Sequence, residues 1–177
     1  NLLGGRSRIE YQPLGVVGII SPWNFPVSMA FAPMAGALAA GNRVMIKPSE
    51  FTPATSEVLA ELVKDAYDPK EAVLFAGGPE VGQAFSNLPL DHLLFTGATS
   101  VARHIMAAAA RNLVPVTLEL GGKSPVIISR TADLEKSMSR IMMGKTMNAG
   151  QICLAPDYLL VPEEKLHDVI ATAQKVV

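Results

Sequence analysis

The tightest constraint on this chain is an alternation. Short, unbroken apolar runs rich in β-branched residues are each followed by a stretch with helical spacing. Gly15–Ile20 (GVVGII), Arg43–Lys47 (RVMIK), Ala72–Phe75 and His92–Phe95 (HLLF) read as buried strands. Helices are expected over Val27–Ala40, from Pro53 to about Tyr67, over Pro79–Phe85 and from Ser100 to Ala110. Pro33 predicts a kink or a delayed start in the first, and Gly41-Asn42 a C-cap. Thr52-Pro53 predicts an N-cap with proline at the first helical position. Val58, Leu59, Leu62 and Val63 then share an apolar face. Strands over Val114–Leu118, Pro125–Ile128 and Tyr158–Val161 follow, with helices from Leu134 to about Asn148, capped by Asp133, and over Glu164–Val176. Strands apolar on both sides and joined by helices require a parallel sheet covered on both faces. The expected fold is α/β: a doubly wound, mainly parallel, Rossmann-like sheet with helices on both faces.

Ligands of such sheets bind beyond the carboxyl ends of the strands. The polar and glycine-rich segments fall there: Ser21–Pro26, Pro48–Glu50, Gly77–Gly82 and Thr96–Ser100. That pattern suggests a nucleotide-sized ligand, although the G-x-G-x-x-G fingerprint is absent. Charge is balanced, with 15 basic and 16 acidic residues, and no basic run interleaves with aromatics, so a nucleic-acid partner is not expected. No apolar run approaches the ~18 residues of a membrane span, and residues 1–6 lack a signal-peptide core. The single cysteine excludes an internal disulfide and favours a reducing, cytoplasmic setting. The chain begins without Met, and residues are expected to precede it.

Four short segments carry chemistry. In Pro22-Trp23-Asn24-Phe25-Pro26, two prolines stiffen a loop around an amide whose N–H suits an oxyanion; alone, the same segment reads as a turn with a core tryptophan. Lys47-Pro48-Ser49-Glu50 ends the second strand, where an acidic residue commonly meets the ribose hydroxyls of NAD; a solvated turn is an equal reading. Glu119-Leu120-Gly121-Gly122-Lys123 sets a carboxylate at a strand end with apolar residues behind it, a setting for a general base, or for an ordinary turn. Asn148-Ala149-Gly150-Gln151-Ile152-Cys153 offers a cysteine in a loop after a helix, either an accessible nucleophile or a small buried hydrophobe.

Together these segments resemble the aldehyde dehydrogenase superfamily. PWNFP, KPSE, FTG, ELGGK and NAGQIC stand in that family's order, and the resemblance runs from about Tyr11 to the end. The stretch PWNFPVSMAFAPMAGALAAGN is most similar to the class 3-like and coniferyl aldehyde dehydrogenase branch. The resemblance implies an NAD(P)-binding domain over 1–121 and the start of an α/β catalytic domain over 122–177. It implies Cys153 as the thiolate that attacks the aldehyde carbon, Asn24 and the cysteine N–H as oxyanion donors, and Glu119 as the base that hydrolyses the thioester. For the cofactor it implies Ile20, Ser21, Pro22 and Trp23 on the first strand-end loop, and Lys47, Ser49 and Glu50 near the adenosine ribose. Gly78 and Gly82 fall on the adenine side, Phe95, Thr96, Gly97, Ala98 and Val101 near the pyrophosphate, and Leu120 and Gly121 nearby. No metal is implied.

Two departures qualify the match. Ala98 stands where the family usually has Ser, removing a hydroxyl donor that helix N–H groups partly replace, and Ala102 adds a methyl where Gly is usual. The later E-x-F-G-P segment has no counterpart, so the chain is expected to be a fragment of a longer protein, inactive alone. The implied reaction oxidises a small-molecule aldehyde to a carboxylic acid with NAD or NADP, NAD being preferred, in a homodimer or homotetramer. The alternatives are a CoA-acylating or reductive relative, which Glu119 argues against, and a non-catalytic nucleotide-binding fragment.

Overall fold

The computed structural model describes Gly4 and residues 6–176. The chain divides between Glu119 and Leu120 into two compact units.

The first unit is built on a five-stranded sheet. Its strands are β1 (Val16–Ile20), β2 (Arg43–Lys47), β3 (Ala72–Leu74), β4 (His92–Gly97) and β5 (Val116–Leu120), in the order β3-β2-β1-β4-β5. The pairs β1–β2, β1–β4 and β2–β3 are parallel, with Ile20 opposite both Lys47 and Phe95. The helices are α1 (Pro26–Ala39), α2 (Pro53–Ala66), α3 (Pro79–Ser86) and α4 (Thr99–Ala110). Successive residues of a strand face opposite sides, and β1 shows what each side meets. Val17 and Ile19 pack with Ala30 and Met34 of α1 and Leu59 and Val63 of α2. Gly18, facing the other way, meets Leu90 and Phe85 of α3. Both faces are covered, as continuous apolar strands require, and each fully buried aliphatic side chain stabilises by about 1.5–3 kcal/mol.

Pro33 neither breaks α1 nor delays it. The helix starts at Pro26, seven residues earlier, and runs through Pro33 to Ala39. A proline adopts helical φ and costs one hydrogen bond; here Ala30 and Met34, both buried against the sheet, hold the helix through it. Its end is the expected cap: Gly41, with φ +83°, donates to Leu38 O at 2.9 Å and Asn42 N–H to Ala37 O at 3.0 Å. These two bonds make a Schellman motif. In α2 only part of the expected face is inside: Leu59 and Val63 are buried with Ser56, while Val58 and Leu62 are exposed. An i, i+4 pair and its neighbour one residue back form adjacent stripes, and one stripe suffices on a flat sheet.

The second unit contains β6 (Ser124–Ile127), β7 (Pro156–Leu160), α5 (Leu134–Thr146) and α6 (Leu166–Val176). The two strands pair in parallel, Val126 opposite Leu159. Ile128, Met138 and Val169 form its buried cluster. Asp133 caps α5 by accepting Lys136 N–H at 3.1 Å. The helix stops at Thr146, before the expected Asn148, because Asn148 and Ala149 have φ of 50° and 55°. Left-handed backbone cannot continue a right-handed helix. No helix among the described residues is long and apolar enough to cross a membrane.

Candidate active site

In the first unit the candidate residues gather at the carboxyl ends of the parallel strands. The sheet's winding reverses beside β1: β2 and β3 extend one way, β4 and β5 the other. Ligands of such sheets bind at a switch point of this kind, and here Ile20-Ser21 and Phe95-Thr96-Gly97 end the two strands that flank it. Ser21 is buried, its N–H donates to Lys47 O at 3.1 Å, and its Oγ has no hydrogen-bond partner among the described residues. A buried hydroxyl without a partner marks a place for a polar ligand atom.

Pro22 is half-buried, Trp23 is 45% exposed and Asn24 half-buried in the bend between β1 and α1. The reading of Trp23 as a core residue is therefore excluded. Phe25 is the N-cap of α1 and Pro26 its first residue, so Asn24 sits two residues before a rigid helix start.

Lys47 is buried, and its Nζ donates to Glu50 Oε2 at 2.8 Å. That hydrogen bond holds the Glu50 carboxyl below its ordinary pKa, against an opposing push from burial. Ser49 is buried; its Oγ accepts Phe51 N–H at 3.3 Å, and its carbonyl accepts Ser56 Oγ at 3.1 Å. The Lys-Pro-Ser-Glu turn is thereby fixed onto α2. Thr52 is the N-cap of α2 as expected, but its hydroxyl caps nothing and donates instead to Ser49 O.

Gly78 is the N-cap of α3, and its N–H donates to Glu80 Oε1 at 3.0 Å. Gly82 lies beside Lys47: a Cβ there would stand 3.8 Å from Lys47 Cε. Phe95 is buried, Thr96 and Gly97 half-buried, and Val101 45% exposed. At Gly97 a Cβ would stand 2.6 Å from the Phe95 ring, so any side chain at this position requires that ring to shift. Ala98 is the N-cap of α4 and offers no side-chain hydrogen bond, which leaves the first-turn N–H groups to an anion. Ala102 is buried.

Glu119 ends the first unit on β5 and is exposed in this chain. An alternating strand points Leu118 and Leu120 to one side and Glu119 to the other. In the second unit Gly121 and Gly122 are exposed, and Leu120 is half-buried. Cys153 is a free, exposed thiol in the turn closed by Ala155 N–H donating to Ile152 O at 3.0 Å. Its exposure excludes the buried-hydrophobe reading. No cluster of metal-ligating side chains occurs among the described residues.

The model of the Aldehyde dehydrogenase family matches residues 3–177. The chain belongs to this family. A coniferyl aldehyde dehydrogenase of Pseudomonas sp. strain HR199 is 61% identical over 174 residues, covering 98% of this chain and 36% of its own length. The substrate-bound state of Staphylococcus aureus AldH superposes with a TM-score of 0.90 at 45% identity, over 93% of this chain and 36% of that one. A variant of aldehyde dehydrogenase C from Pseudomonas syringae, solved with NAD+ and octanal, superposes with a TM-score of 0.87 at 38% identity, over 93% and 35%. This aldehyde dehydrogenase chain spans about a third of the length of the relatives it matches.

Proposed function

We propose that this chain is the nucleotide-binding part and the nucleophile-bearing segment of an enzyme that oxidises an aldehyde to a carboxylic acid with NAD or NADP. Residues 1–121 bind the dinucleotide, and residues 122–177 begin the catalytic domain. The observation that carries the reading is Cys153, a free and exposed thiol that closes the Asn-Ala-Gly-Gln-Ile-Cys run of a family member. The whole protein works as a cytoplasmic homodimer or homotetramer.

The strand ends fit a dinucleotide. Ser21 Oγ is a buried group in need of a partner, Lys47 and Glu50 form a charged corner, and α4 opens with uncapped N–H groups. Ile20, Pro22, Trp23, Ser49, Gly78, Gly82, Phe95, Thr96, Gly97, Ala98, Val101, Leu120 and Gly121 complete the set. The bound dinucleotide supplies a hydride acceptor. Cys153 attacks the aldehyde carbon, and the new C–S bond turns the carbonyl oxygen into an oxyanion. The Asn24 amide and the Cys153 N–H donate to it. Departure of the hydride leaves a thioester. Glu119 takes a proton from water, which attacks that thioester and releases the acid and the thiol. Glu50 favours NAD, because its carboxylate accepts from ribose hydroxyls and repels a 2′-phosphate. The 61% identical relative named for coniferyl aldehyde supports an aromatic, conjugated aldehyde as the first substrate to assay.

The test uses the full-length protein. Cys153→Ala should abolish NADH formation while NAD binding stays measurable. Glu119→Gln should keep a pre-steady-state burst of NADH and lose steady turnover. Aldehyde oxidation by the Cys153 variant, or an unaltered steady rate in the Glu119 variant, refutes the respective assignment. NADH formation by the 177-residue chain alone, set beside the full-length protein, separates an active piece from a nucleotide-binding one.

A further inference from the structure

We infer that Ala149 is a positioning residue for Cys153, holding the turn that leads to the thiol in a backbone conformation that alanine itself disfavours; this rests on the reading of Cys153 as the nucleophile. Three successive residues, Asn148, Ala149 and Gly150, have φ of 50°, 55° and 79°. Glycine takes left-handed backbone freely, and asparagine tolerates it through local hydrogen bonds. Alanine has neither advantage. Among the described residues one other non-glycine residue, Leu113, shares this region. It has an ordinary cause. Leu113 N–H donates to Ala110 O at 3.2 Å and Val114 N–H to Ala109 O at 3.0 Å, a Schellman cap of α4. Ala149 caps no helix in this way. α5 ends at Thr146, and Met147 after it has already left helical geometry, with ψ 133°.

The left-handed turn is held from both sides. Gln151 N–H donates to Asn148 O at 3.0 Å and closes it. A Cβ on Gly150 would stand 3.3 Å from Lys145 O, so the turn lies against the end of α5. Downstream, Ala155 N–H donates to Ile152 O at 3.0 Å, and Pro156 enters β7 opposite Ser124. The Pro156 ring packs beside Gly144 of α5, where a Cβ would stand 3.7 Å from it. Cys153 therefore rides on a short span, residues 151–155, tied to α5 at one end and to β7 at the other. The direction in which the chain leaves α5 sets where the thiol arrives. Ala149 is exposed, so burial of its methyl does not account for its conformation. Backbone outliers of this kind cluster at active sites, where they fix geometry. A β-branched residue resists left-handed φ far more than alanine does. Its relaxation to right-handed or extended backbone at position 149 would redirect the span that bears Cys153.

Steady-state kinetics of the full-length protein test this. Ala149→Val should lower kcat for aldehyde oxidation by roughly ten- to hundredfold, the scale of a misplaced reacting atom, with Kd for NAD unchanged. Iodoacetamide should still alkylate Cys153 in that variant, because alkylation needs an accessible thiolate and no alignment with a bound aldehyde. Ala149→Asn, which accepts left-handed backbone, should keep kcat near the wild-type value. A wild-type kcat in Ala149→Val overturns the inference. An equal loss in Ala149→Asn also overturns it, because crowding by a larger side chain is then the cause. So does a fall in kcat that only tracks a fall in folded fraction, read by circular dichroism. If Ala149→Val does not fold, Ala149→Thr, also β-branched, should show the same loss. NADH formation that survives Cys153→Ala refutes the nucleophile reading beneath, whatever the Ala149 variants do.

Discussion

Lys47 carries its charge into the interior, and Glu50 answers it. Removing that answer strands the ammonium. Glu50→Gln should destabilise the full-length protein by about 1–3 kcal/mol, less than a fully buried pair because the Glu50 side chain is 34% exposed. Urea titration checks this, and an unshifted midpoint would mean the pair contributes nothing. The pH dependence has a definite sign. Lys47 lowers the folded-state pKa of Glu50 from 4.5, so the stabilisation is complete above that value and is lost as pH falls through the lowered one. The variant should flatten the acid limb of stability below about pH 4.5 and leave neutral pH to report the stranded lysine. It should also weaken NAD and improve NADP; a constant ratio would mean that Glu50 points away from the ribose. At this scale the sequence was readable where residue type and spacing coincide, as in the Lys-Pro-Ser-Glu turn and a cysteine after a helix. The exposure of Glu119 was not legible, because the side a strand residue faces depends on what covers the sheet.

Among the elements, α1 shows how far local rules reach. Its end was legible, since glycine before asparagine favours a left-handed cap. The second task of Asn42 was not. Its Oδ1 accepts Leu14 N–H at 2.6 Å and Gly15 N–H at 3.1 Å, while its Nδ2 donates to Ala37 O at 3.0 Å. One amide thus ties the start of β1 to the end of α1, across 27 or 28 residues of chain. Asn42→Ala in the full-length protein should cost about 1–3 kcal/mol by leaving these groups unmet. Asn42→Asp, which keeps the acceptor and loses the donor, should fall between. Thermal melts rank the three proteins, and equal melting temperatures would show that water replaces the amide at no cost. Strand positions and helix order were likewise readable from apolar runs. The delayed start that Pro33 allowed did not occur, because packing against the sheet outweighs one missing hydrogen bond.

For the molecule as a whole, alternating strands and helices announced the parallel sheet, but strand order is a long-range property that apolar runs do not encode. The two units have separate cores, and the smaller rests on Ile128, Met138 and Val169. Met138→Ala should cost about 2–5 kcal/mol, as a cavity in a small core does. Hydrogen exchange on the full-length protein should quicken across residues 120–176 and stay unchanged in β1 to β4; uniform quickening would show a single cooperative core. The strand order also sets a clock. β1 is flanked by β2 and β4, and Val16 N–H donates to Asp91 Oδ2, 75 residues further on. A ribosome adding about 5–20 residues per second needs roughly 4–15 s to supply that stretch. During that interval β1 can pair with β2, while its other edge stays open to any strand nearby. Newly made chains are therefore most vulnerable to misassembly before His92–Gly97 has left the exit tunnel, so pausing translation there should raise aggregation more than pausing after it.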